Sequence, residues 1–174
     1  MNVGANALYL LSGLAAWTFL EYVIHGWMGH RFRTFATPLH NVHHRDPSRV
    51  FTIGGWLPVA AIWFVGVMLW GFAPAMIIYS GIVLGFVLYE LMHYRIHYAR
   101  PRNRLETYLR ERHLVHHYRT PDNCFGVTSP LWDRLLSTDL AEAEMRSLRA
   151  TVAATSPLTG RTNVRMLLPF LAIH

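Results

Sequence analysis

At 174 residues the chain has room for one domain of ordinary size, and its 52% hydrophobic and 15% charged content is apolar for a soluble protein. The net charge of +6 comes entirely from arginine, but the arginines flank apolar runs and no nucleic-acid-binding motif accompanies them, so a membrane surface is the expected partner and nucleic acid is not. The lone Cys124 excludes an intrachain disulfide and any CxxC redox or metal motif.

The first predicted element is an apolar run from Ala5 to Ile24, broken only by small polar residues and by Glu21 near its end. At about 1.5 Å per residue it is long enough to cross a bilayer. A cleaved signal peptide is the alternative, but no basic segment precedes the run and it continues straight into His25, so it is read as a retained span. Residues Arg31 to Arg49 are polar and basic, with Pro38 and Pro47 as helix breakers on either side of His40-Asn41-Val42-His43-His44. An uncharged run from Gly54 to Phe72 follows, with Pro58 in its first turns, and after Ala73-Pro74 another from Ala75 to Tyr89. The few residues between them allow only a tight turn, which predicts a helical hairpin.

Arginines follow the first and third runs and are absent from the turn between Gly71 and Ala75. That bias puts the N-terminus and the hairpin tip outside and the histidine clusters at the cytoplasmic face. From Arg100 the chain turns polar and helical, with Leu105, Leu109 and Leu114 at helical spacing, which predicts a cytoplasmic cap. Beyond it lie a turn at Thr120 to Asn123, a short amphipathic helix from Ser129 to Leu136 with Pro130 near its start, and a surface helix from Leu140 to Ala150. The last apolar stretch, Val164 to Ile173, is too short to span. The expectation is an all-α integral membrane protein, a single domain over residues 1–174, with about three transmembrane helices and a cytoplasmic helical cap holding a histidine-rich dimetal site.

Ten of the 11 histidines fall into four clusters: His25 and His30 as HxxxxH, His40, His43 and His44 as HxxHH, His93 and His97 as HxxxH, and His113, His116 and His117 as a second HxxHH. A chance HxxHH is expected about 0.04 times in such a chain, and two about a thousandth of the time, so scattered solvated or core histidines do not explain the set. That plainer reading is kept for His174, which stands outside the clusters. Imidazole is the commonest protein metal ligand, and ten exceed the four to six that one ion can use, so two metals are implied. His93 and His97 face one ion on an α-helix. His25 and His30 lie about 140° apart on one, so they serve different metals or straddle a helix distortion.

Zinc, copper, iron and nickel all suit imidazole, and the sequence alone leaves the metal open. Metal-bound histidine usually gives its other N–H to a carboxylate or carbonyl, which makes Glu21, four residues before His25, and Glu90, three before His93, candidates to orient ligands. The competing readings are a snorkelling or pore-lining acid for Glu21 and an ion pair with Arg95 for Glu90. Tyr94 and Tyr118 are read as packing or interfacial aromatics, and Asp133 as a capping or ion-pairing residue.

The cluster order HxxxxH, HxxHH, HxxxH, HxxHH resembles that of the fatty acid hydroxylase superfamily, the membrane-bound non-haem di-iron enzymes that include sterol desaturases and carotene hydroxylases. Tyr89-Glu90-Leu91-Met92-His93-Tyr94-Arg95-Ile96-His97-Tyr98, Phe125-Gly126-Val127-Thr128-Ser129-Pro130-Leu131-Trp132-Asp133 and Glu21-Tyr22-Val23-Ile24-His25 are most similar to fatty acid 2-hydroxylases, and the resemblance runs from about Trp17 to Thr138. It implies that the ten clustered histidines hold two Fe ions, with zinc a possible substitute in recombinant protein. It also implies O2 as co-substrate and insertion of oxygen at C2 of a fatty acyl chain. The eukaryotic enzymes carry a fused cytochrome b5 domain; no haem-binding stretch occurs in this sequence, so the implied electron donor is a separate cytochrome b5-like or ferredoxin-like protein. Their transmembrane hairpins are longer, and here the first is reduced to a single span.

A sterol or carotenoid hydroxylase or desaturase of the same superfamily is the alternative within this chemistry. A metal-binding or metal-transport membrane protein without oxygen chemistry is the alternative outside it. The latter would place ionisable residues along its spans, and none occurs between Gly54 and Tyr89.

Overall fold

A computed structural model of the chain describes residues 2–47 and 56–155, and no strand occurs among them. Helix α1, Val3–Tyr22, begins where the Asn2 side chain accepts a hydrogen bond from the Ala5 amide at 2.8 Å, a standard N-cap. It runs without a break into a π-helical segment, Val23–Arg31. Helices α2 (Ala36–Arg45), α3 (Trp56–Trp70), α4 (Phe72–Tyr98), α5 (Arg104–Tyr118), α6 (Leu131–Leu135) and α7 (Glu142–Thr155) follow.

Among the described residues, two helices are long and apolar enough to cross a bilayer: the 29 residues Val3–Arg31 and the 27 residues Phe72–Tyr98. Each is about 40 Å long against a hydrocarbon core of about 30 Å. Helix α3 has 15 residues; positions 54 and 55, where the second apolar run was expected to begin, lie outside the described residues, as does the stretch from Val164 to Ile173. Leu8, Leu11, Leu84 and Leu88 are exposed on the outer sides of α1 and α4, a surface that suits lipid better than water.

The hairpin between α3 and α4 is tighter than expected. Its turn is Gly71 alone, at φ +78°, and Pro74 falls in the first turn of α4, where its missing N–H costs nothing. Helix α4 then continues past Tyr89 without interruption, carrying His93 and His97 on the same rigid rod as the apolar run. Pro38 does not break α2 but sits in its first turn, and His40 to His44 are helical.

Helices α1 and α4 meet through glycine. A Cβ on Gly13 would stand 2.0 Å from the Ile78 carbonyl oxygen, and one on Gly81 would stand 2.2 Å from that of Leu10. Only bare backbone permits that approach. One turn further, Trp17 packs on Gly85 and edge-on against Phe86 at 5.2 Å, in a cluster that includes Ile82. This locks the ends of both long helices together where the histidines begin. On the other side of the site, α7 covers α5 through Leu114, Val115, Cys124 and Met145.

Candidate metal centre

All ten clustered histidines come together at the ends of α1 and α4. They form two groups of five, His25, His30, His40, His44 and His116, and His43, His93, His97, His113 and His117, with the ligand atoms in each group within 4.8 Å of one another.

The first pair reaches a single group because of the π-helical segment. Its hydrogen bonds close from residue i to i+5, as in Phe32 N–H to Trp27 O at 2.7 Å, so residues five apart stack one turn above the other. The helix distortion that HxxxxH allowed is therefore present, and His25 and His30 face the same centre. Thr34 and Thr37 hydroxyls cap the end of the segment by donating to Met28 O at 2.8 and 2.9 Å, which turns the chain back so that α2 lies against it. His40 then passes over Gly29, where a Cβ would meet its ring at 3.0 Å.

Each HxxHH divides between the groups in a complementary way. In α2 the first and last histidines, His40 and His44, join the first group and His43 the second; in α5 His113 and His117 join the second and His116 the first. HxxxxH completes the first group and HxxxH the second.

Within the first group the Nε2 atoms of His25, His30 and His44 lie 3.0, 3.1 and 3.1 Å from that of His116, and His40 Nε2 lies 2.6 and 2.8 Å from those of His30 and His44. In the second, His93 and His97 Nε2 both lie 2.9 Å from His113 Nε2. With metal–nitrogen bonds of about 2.1 Å, adjacent ligands of an octahedral ion stand about 3.0 Å apart, so the spacings of 2.9 to 3.1 Å are ones at which these groups could hold an ion. Hydrogen bonding does not account for all of them: the Nδ1 atoms of His25 and His116 lie 2.6 and 2.8 Å from the Phe125 and Asn123 carbonyl oxygens. A carbonyl only accepts, so both protons sit on Nδ1 and both Nε2 lone pairs point inward. In the second group the buried Nδ1 atoms of His93, His97 and His113 have no hydrogen-bond partner within the described residues.

Burial, and then the neighbouring histidines, hold His40, His113, His116 and His117 well below the ordinary imidazole range, and bring His44 down to about 3. These side chains are neutral at pH 7, the form that binds metal. Between the unfolded value of about 6.5 and the lower folded values, the unfolded chain binds more protons, so stability rises with pH across that window. Metal-free protein should therefore melt at progressively lower temperature as pH falls below about 6.5 towards 3; a midpoint independent of pH in thermal scans would contradict this.

The glutamates behave differently from one another. Glu21 is buried and accepts from the amides of Val127 and Thr128, the latter at 2.8 Å, and from the Thr128 hydroxyl, so its hydrogen bonds clamp the loop after α5 and, among the described residues, go to no histidine. Glu90 is buried with Oε2 lacking a hydrogen-bond partner, and Arg95 pairs instead with Glu106 at 2.7 Å.

Features outside the motifs complete the site. Cys124 adopts φ +60°, a backbone conformation that costs a non-glycine residue about 1–2 kcal/mol. It stands between the two residues whose carbonyls hold His116 and His25. Burial pushes its thiol up to about 12, and it belongs to neither histidine group. Asp133 is fully buried; it accepts from the amides of Phe125 and Gly126, each at 2.8 Å, from the Thr138 hydroxyl at 2.8 Å, and from Arg112 at 2.9 Å. Side-chain periodicity could not have found these partners, because the carbonyls of Asn123 and Phe125 and the amides of Phe125 and Gly126 are all backbone groups.

Residues 10–138 match the family described as "Fatty acid hydroxylase". Among curated relatives, the dihydroceramide fatty acyl 2-hydroxylase FAH2 of Arabidopsis thaliana is 32% identical over 144 residues, covering 75% of this chain and 60% of that protein. Fatty acid 2-hydroxylase of Mus musculus is 32% identical over 148 residues, covering 75% of this chain and 39% of that one. The chain thus spans less than two thirds of these relatives' length. The solved structure titled "Full length scs7p (only hydroxylase domain visible)" aligns with a TM-score of 0.71 at 28% identity, over 81% of this chain and 58% of that one.

Proposed function

The chain belongs to the fatty acid hydroxylase family, and from that premise we propose that it inserts oxygen into a fatty acyl chain at C2. The observation that carries this reading is the pair of five-histidine groups at the ends of two apolar helices, where a lipid chain and a metal centre can meet. The donor set consists of imidazole, with no carboxylate or thiol, and fits iron as well as zinc. His25, His30, His40, His44 and His116 would hold one ion and His43, His93, His97, His113 and His117 the other. Iron, when bound, supplies the activation of O2 that carbon hydroxylation requires, with electrons from a reductant.

The protein's own part is placement. The carbonyls of Phe125 and Asn123 keep the Nδ1 protons of His25 and His116 away from the centre. An aromatic layer of buried Trp17 and Phe86 with half-buried Tyr89 lies beside the histidines and gives their membrane side an apolar wall. The arginine bias supports a cytoplasmic position for the site, and the uncharged run from Gly54 to Phe72 supports α3 as a third span.

Full-length protein expressed with iron and a competent reductase, followed by lipid mass spectrometry, should give acyl chains that carry one additional oxygen at C2. Unchanged lipids with a loaded iron site would overturn the proposal, and oxygen on a sterol or carotenoid would move it to that chemistry.

A further inference from the structure

We infer that Asp133 is a positioning residue for the first histidine group, acting through the backbone of residues 123–126. The inference rests on the metal-binding reading of the two groups and adds a residue that no histidine motif contains.

The chain of contacts is continuous. Asp133 Oδ1 accepts from Phe125 N–H and Oδ2 from Gly126 N–H, so one carboxylate grips two successive peptide units. The carbonyl of the first of those residues, Phe125, takes the His25 Nδ1 proton. Cys124 donates its amide to Thr138 O at 2.9 Å, and Thr138 donates its hydroxyl to Asp133, so the left-handed residue is tied to the same acid. That left-handed turn sets the carbonyls on either side of Cys124, those of Asn123 and Phe125, on two histidines of one group. Gly126 lets the acid come close: a Cβ there would stand 2.0 Å from Ser129 O and 3.0 Å from Asp133 Oδ2.

In the second group the Nδ1 atoms of His93, His97 and His113 have no hydrogen-bond partner among the described residues, so these three are not held by a carbonyl as His25 and His116 are. Asp133 therefore reaches the first group directly through the carbonyl of Phe125, and the second only by way of Arg112 and the body of α5. Asp133→Asn keeps the shape but supplies one acceptor oxygen and one amide donor, so whichever way it turns, a backbone N–H of the loop faces a donor.

The experiment is a cobalt(II) titration of the full chain in detergent, followed by its visible absorption bands. His30→Ala and His97→Ala identify the bands of the first and second groups. Wild-type protein should bind two equivalents; failure to do so would sink the dimetal reading itself, whatever Asp133 does. In Asp133→Asn the first-group affinity should fall about 10–100-fold with shifted bands, while the second group keeps its affinity and spectrum. Unchanged affinity in both groups, or equal loss from both, would overturn the inference. If Asp133→Asn fails to fold, Thr138→Val decides in the same titration: a smaller loss confined to the first group supports it, and no selective change overturns it.

Discussion

Replacing His116 by alanine should leave a membrane-inserted protein that holds about one metal ion in place of about two and loses hydroxylation by more than about 100-fold. Its Nε2 is the atom around which the first group closes, at 3.0 to 3.1 Å from those of His25, His30 and His44. Losing an orienting partner of a ligand already costs about 10–100-fold, and losing the ligand itself costs more. Helix α5 should survive, because its capping by Asn103 and its packing through Leu114 and Val115 do not involve His116. His43→Ala should do the same to the other ion. Elemental analysis of purified protein checks the stoichiometry and lipid mass spectrometry checks turnover; two ions retained in His116→Ala would remove it from the ligand set.

The largest effect on stability is expected at Arg112. Its guanidinium and Asp133 are 1% and 0% exposed, and they pair at 2.9 Å, with Asp139 as a second carboxylate partner. Tyr108 lies under the same guanidinium, 5.6 Å from its ring centre. Arg112→Met would fill much of the volume and leave the Asp133 charge buried without a counter-ion, which costs about 3–5 kcal/mol. For a chain of this size that corresponds to a fall of about 10 °C in melting temperature. A shift under about 2 °C in detergent-solubilised protein would show that water or relaxation replaces the arginine.

Much of the architecture follows from hydropathy and spacing. Two long apolar helices and a polar helical region after Arg100 were both readable, because lipid imposes length and charge limits on a chain before any packing is considered. The ten histidines could be singled out for the same kind of reason: their number and spacing exceed chance. What could not be read was how they divide. The angle between His25 and His30 depends on whether the helix closes at i+4 or i+5, and no side-chain pattern around Val23 to Arg31 announces the wider turn. The role of Glu21 was equally hidden, since its partners are two amides more than a hundred residues away. Helical spacing pointed it at His25; tertiary structure gave it to the loop.

The glycine contact between α1 and α4 also bears on traffic. Backbone atoms there stand too close for even one Cβ, whereas a methylene chain needs about 4 Å of clearance on each side. That seam is shut to hydrocarbon along Gly13 and Gly81, so the acyl substrate of the proposed reaction would have to travel along another face of the helix pair.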